Sequence, residues 1–91
     1  MRVLLRAFGD LIPLLGMESV LDLPEGSSVR ALFRQLSQKT GAERPGYIGS
    51  YGVDGDLVIL VNGRNIRTLE KAGTVLRDND TVTLLPPFAG G

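Results

Sequence analysis

LVILVNGRNIRTL, Leu57–Leu69, is the stretch on which the reading of the fold turns. Leu57–Val61 is an unbroken apolar run, short enough for a strand and the mark of a central strand buried on both faces. Asn62-Gly63 follows, two residues that tolerate positive φ and so close a tight turn. Arg64–Arg67 then reads as a short returning strand. A hairpin of this kind needs further strands beside it and a cover over one face. The residues on either side supply both.

Downstream, Leu69–Leu76 is ambiguous, Asp78-Asn79-Asp80 is a turn and Thr81–Leu85 is the last strand. The three turn residues superficially resemble metal-ligand spacing but fall far short of a calcium loop, so turn chemistry is the reading. Upstream, residues 41–56 (GAERPGYIGSYGVDGD) contain five glycines and one proline. They read as a long connecting or mobile loop, with Tyr47 and Tyr51 as the residues able to pin it. Before the loop, SVRALFRQLSQKT carries the one convincing helical pattern. Val29, Leu32, Phe33 and Leu36 fall at i, i+3, i+4 and i+7, giving a single apolar stripe. Ser27 or Ser28 caps its start, Lys39 sits in the last turn and Gly41 lies just beyond.

The N-terminal third completes the set. Residues 2–8, RVLLRAF, read as a strand with Val3, Leu5 and Ala7 on one face and Arg2, Leu4, Arg6 and Phe8 on the other. GDLIPLLG is a connection in which Pro13 prevents a long helix. Met17–Leu23 is a second strand, stopped by Pro24-Glu25-Gly26. The order is β-β-α-β-β-β. One helix against one face of a mixed sheet of about five strands is an α+β roll, with the count and order of the β-grasp layout.

Composition narrows the function. The chain has 91 residues, enough for one domain but not two independent cores. An apolar content of 43% with 22% charge belongs to a folded chain. There is no cysteine, which excludes disulfides and thiol chemistry, and no histidine, which removes the usual general base and the commonest metal ligand. Ten basic and ten acidic residues cancel and are spread along the chain, so no footprint for nucleic acid is visible. Arg6, Asp10 and Pro13 interrupt the N-terminal apolar stretch, which is therefore not a signal peptide, and no apolar run is long enough to span a membrane. A cytoplasmic location is expected.

The chain ends on LLPPFAGG. Pro86 and Pro87 fix φ and remove two N–H donors, which holds the segment extended and directs it away from the body. Phe88 is one apolar anchor. Ala89, Gly90 and Gly91 have almost no side chain, so the tip can enter a channel that any larger residue would block. The reactive group at such a tip is the terminal carboxylate of Gly91. The expected organisation is a β-grasp domain over residues 1–85 and a flexible tail over 86–91. An apolar docking patch is expected on the open sheet face, from Leu4, Phe8, one parity of Leu57–Val61 and Leu85. Arg64 and Arg67 are either partners for acidic groups on a second protein or solvated charges at a strand edge, the commoner case.

FGDL (Phe8–Leu11), LPEGSSVRALF (Leu23–Phe33), LVNGRNIRTLE (Leu60–Glu70), LRDNDTVTLLPP (Leu76–Pro87) and FAGG (Phe88–Gly91) together resemble the ubiquitin-like sulfur carriers of the MoaD/ThiS family, and most of all the MoaD branch. MoaD is the small subunit of molybdopterin synthase. The VNGRNIR segment also resembles the small archaeal modifier proteins. The resemblance implies that a MoeB/ThiF-like adenylating enzyme receives the tail and activates Gly91 with ATP and Mg²⁺, no cofactor being bound by the carrier itself. It implies a thiocarboxylate at Gly91, which a MoaE-like large subunit consumes, or alternatively an isopeptide bond to a target-protein lysine. No catalytic activity of the chain's own is expected.

Overall fold

The computed structural model describes residues 1–87. β1 (Arg2–Ala7) is flanked by β2 (Glu18–Asp22) on one side and by the central strand of the sheet, β7 (Thr81–Leu85), on the other. β5 (Val58–Val61) pairs with β7, and β6 (Arg64–Asn65) closes the far edge, giving the order β2-β1-β7-β5-β6. Three of the four strand pairs are antiparallel; β1 and β7 run parallel, with Leu4 opposite Thr81 and Ala7 opposite Leu84. The mixed five-stranded sheet and single long helix are those of the β-grasp layout.

The helix α2 (Val29–Thr40) lies on one face of this sheet. The Ser28 hydroxyl accepts from the Ala31 N–H at 3.2 Å and so caps it, whereas Ser27 donates to the Pro24 carbonyl instead. Gly41 ends it in the left-handed conformation (φ 69°, ψ 33°). Val29, Leu32, Phe33 and Leu36 are all buried against Val3, Leu5, Ile59, Val82 and Leu84. Between β1 and β2 the chain makes a 3₁₀ turn (Gly9–Leu11) and one turn of helix, α1 (Ile12–Leu15). Pro13 stands in that first turn, where its missing N–H costs nothing.

Three expectations are corrected. First, the glycine-rich stretch 41–56 is more than a bare connection. It contains a hairpin of β3 (Tyr47–Ile48) and β4 (Tyr51–Gly52), and Ile48 is fully buried in the core. Tyr47 packs over Gly52, where any side chain would meet its ring, and the Arg44 guanidinium stacks on that ring at 3.9 Å. Second, Leu57–Val61 is buried on one face only. Ile59 and Val61 point into the core; Val58 is exposed and Leu60 half-buried on the uncovered face. Third, the strand expected over Arg64–Arg67 stops after Asn65. The Asn65 side chain accepts from the Arg67 N–H at 2.9 Å and starts a 3₁₀ turn (Ile66–Thr68) that tucks Ile66 under the sheet edge.

The ambiguous segment Leu69–Leu76 forms a 3₁₀ turn at Lys71–Gly73 and buries Ala72, Thr74 and Leu76. The Thr74 hydroxyl is satisfied by donating to the Lys71 carbonyl and accepting from the Glu70 N–H. In the turn at 78–80, Asp78 accepts from the Arg2 N–H and Asp80 from the Arg77 N–H and the Asn62 amide. These carboxylates hold backbone, tying the last strand's entry to the start of β1.

Candidate functional site

Strand alternation decides which side chains the helix covers and which it leaves bare. On β1, Val3, Leu5 and Ala7 face α2, so Arg2, Leu4 and Arg6 face outward. The register then sets Leu4 beside Val20 of β2, and Arg6 beside Glu18 and Thr83. Across β7 and β5, Leu85 stands opposite Val58 and Thr83 opposite Leu60. Phe8 continues β1 in extended conformation (φ −132°, ψ 163°), which gives it the same parity as Leu4 and Arg6. The open face therefore carries Leu4, Val20, Phe8, Val58, Leu60 and Leu85.

Several of these side chains are strongly exposed for their type: Val20 61%, Phe8 40% and Val58 36%. Arg6 supplies the charge within the apolar face. Its guanidinium lies 5.8 Å from the Phe8 ring centroid and 3.8 Å from a Glu18 carboxylate oxygen. That pair is well exposed, so it contributes little to stability and leaves Arg6 available.

The structure thus groups Leu4, Phe8 and Leu85 on one surface, as the alternation in the sequence predicts. Arg64 and Arg67 do not join them. Arg64 is the register partner of Val61, whose side chain faces the core, so its parity is that of the covered face at the sheet's far edge. Arg67 donates to the Gly55 carbonyl at 3.3 Å and braces the loop before β5. Val20 and Val58 are the members that the sequence reading did not single out. The period-2 pattern of Met17–Leu23 and Leu57–Val61 contains them, once the buried parity of each strand is known.

β7 brings the chain to the border of this surface at Leu85. It is paired on both sides, by β1 and β5, and runs without a break into a half-buried Pro86 and an exposed Pro87. The exit is therefore fixed by two ladders of backbone hydrogen bonds. Phe88, Ala89, Gly90 and Gly91, the tail residues assigned from the sequence, lie outside the described residues.

Beside the exit, the Tyr51 hydroxyl of the hairpin donates to the Asp10 carboxylate, with oxygen distances of 2.8 and 2.7 Å. This bond raises the Tyr51 phenol above its ordinary pKa of 10.0; burial and the negative charge of Asp10 act in the same direction. Among the described residues no cluster of three or more carboxylates is placed to hold a metal ion, and no helix is long and apolar enough to cross a membrane.

A β-grasp domain whose last strand lies at the centre of the sheet, parallel to its first, with one apolar sheet face uncovered among the described residues, is a ubiquitin-like protein. Within that class, the chain belongs to the ThiS family, whose model matches residues 5–91, tail included. It is 31% identical to small archaeal modifier protein 3 of Haloferax volcanii over the full length of both chains. Among solved structures, the small archaeal modifier protein 1 of Methanosarcina acetivorans superposes with a TM-score of 0.75 at 32% identity, covering 99% of this chain and 96% of that one. A chain of the complex of subunits 1 and 2 of the molybdopterin-converting factor from Helicobacter pylori matches at 25% identity and TM-score 0.58, with both chains fully covered.

Proposed function

We propose that this chain is a ubiquitin-like sulfur carrier whose Gly91 carboxylate is its working group. The observation that carries the reading is the junction of strand and tail. A doubly paired strand runs straight into Pro86-Pro87 at the border of an apolar face, and the family match continues to the last glycine. Such a chain offers the Gly91 carboxylate to a partner that grips the face behind it.

A carboxylate is a weak electrophile. Its activation is assigned to a MoeB/ThiF-like partner enzyme, which uses ATP with Mg²⁺ to join the Gly91 oxygen to AMP and release pyrophosphate. A sulfide-level nucleophile then attacks the acyl carbon, AMP departs, and a thiocarboxylate remains. In the leading reading that sulfur is passed to a pterin precursor held by a MoaE-like large subunit, on the way to a molybdenum or tungsten cofactor. The similarity to the Helicobacter pylori complex of the two converting-factor subunits supports this choice. Ala89, Gly90 and the stem Phe88, Pro87 and Pro86 serve access and aim; Leu4, Phe8 and Leu85 serve docking.

A second reading is favoured by the full-length similarity to small archaeal modifier protein 3. Here a lysine amine of another protein attacks the same acyl-adenylate, AMP leaves, and an isopeptide bond forms at Gly91. The two readings share activation and differ in the nucleophile.

Intact mass of the chain purified from its own host separates them. A gain equal to sulfur minus oxygen, located at Gly91, establishes the carrier. Gly91 joined to lysines of other proteins establishes the modifier. If a chain lacking Gly90 and Gly91 supports every function of the full chain, neither reading stands.

A further inference from the structure

Gly9 follows β1 and Pro86 follows β7. Because the two strands are parallel neighbours ending at Ala7 opposite Leu84, these residues leave the sheet at the same end. Gly9 is in the left-handed region at φ +62°, and a Cβ built there would lie 3.3 Å from Pro86 Cγ, 3.7 Å from Cδ and 3.8 Å from Cβ. The proline ring therefore rests on bare glycine backbone, closer than a side chain at this position would comfortably allow.

The segment under the ring is itself braced. Asp10, the next residue, is held by the Tyr51 hydroxyl, and the Leu14 side chain approaches to 3.1 Å of where a Cβ on Gly49 would be. The hairpin that looked like a loop thus backs the surface on which the tail begins.

We propose that Gly9 is the seat of the tail: by accepting the ring of Pro86 it fixes the direction in which the chain leaves the body at Pro87, and so acts as a positioning residue for activation of Gly91. This rests on the reading of Gly91 as the group that a partner activates. Gly9 touches no reacting atom. A methyl at this position pushes Pro86 aside, so fewer molecules present the tail at the angle the partner accepts. The fraction that does bind reacts as before. Apparent affinity falls by the lost fraction, and the chemical step is unchanged.

The test is pyrophosphate exchange with the adenylating enzyme that activates the wild-type chain, with this protein as the varied substrate. Gly9→Ala is expected to raise KM about tenfold with kcat within about twofold. Gly26→Ala is the control for backbone strain alone: Gly26 also has positive φ, +82°, but nothing lies within 4 Å of its would-be Cβ. It is expected to lower Tm as Gly9→Ala does and to leave KM alone. Pro86→Ala removes the ring carbons that the methyl would meet. Combined with Gly9→Ala it is expected to bring KM back to that of Pro86→Ala alone. Equal KM values for Gly9→Ala, Gly26→Ala and wild type overturn the seat, as does a raised KM that Pro86→Ala fails to relieve. If the wild-type chain is itself not adenylated, the activation reading falls first and the seat's role with it.

Discussion

Tyr51 and Asp10 show what a single pair of residues does in this fold. They are separated by 41 positions, and the phenol oxygen lies 2.8 and 2.7 Å from the two carboxylate oxygens. The bond favours the neutral phenol, so the pKa is raised in the folded chain relative to an unfolded tyrosine. The sign follows from linkage. A raised pKa means that the stabilisation is fully present below the ordinary tyrosine value and is lost as pH rises through the folded one. An alkaline titration followed by phenolate absorbance is therefore expected to resolve a late-ionising tyrosine. Tyr51→Phe is expected to remove that late step. No late-ionising phenol in the wild type, or a late step that survives in Tyr51→Phe, would show that the clamp does not hold in solution. No pattern in the sequence announces this pair, because neither residue type has a preferred spacing for such a bond. The Ser28 cap is different: a serine just before an apolar stripe has a local geometric reason to be there, and it was legible together with its neighbour Ser27.

At the scale of elements, the hairpin Tyr47–Gly52 is where local reading failed for a physical reason. Its strands are two residues each, too short for a period to register, and glycine hides the contacts that its absent side chain permits. The helix and the strands β1, β2 and β7 were legible because each runs long enough to repeat its period. The buried Ile48 shows that the hairpin belongs to the core. Ile48→Ala is expected to cost about 2–5 kcal/mol in urea-induced unfolding, as other core truncations do. Amides of β3 and β4 are expected to exchange with solvent at rates close to those of the sheet in the wild type. A cost below about 0.5 kcal/mol, the size of an ordinary surface change, would mean that the hairpin packs only loosely. β5 misled in the opposite direction. Its unbroken apolar run reads as a strand covered on both sides, yet among the described residues the long helix α2 covers one face alone. The surplus apolar residues, Val58 and Leu60, are what an isolated domain cannot bury by itself.

For the whole molecule, that surplus and the tail are one arrangement. Val58 is opposite Leu85, and Leu85 is the residue before Pro86, so the apolar face reaches the point where the tail departs. On the proposed reading, a partner that grips the face receives Pro86 in a fixed relation to it, and exposed apolar patches of this kind mark partner surfaces. Val58→Asp tests this. The side chain is exposed in the free domain, so the substitution is expected to leave Tm within a few degrees of wild type. Against the adenylating enzyme, a charge placed in the centre of a desolvated contact is expected to raise KM about tenfold or more. Val75→Asp is the matched control. Val75 is more exposed still, at 58%, but it forms an isolated bridge with Ser28 beside the start of α2, away from the open face. It is expected to behave as wild type in the same assay. Equal losses for the two variants would mean that general surface charge governs recognition. No loss for either would mean that the partner reads the tail alone, and that the apolar face serves some other contact.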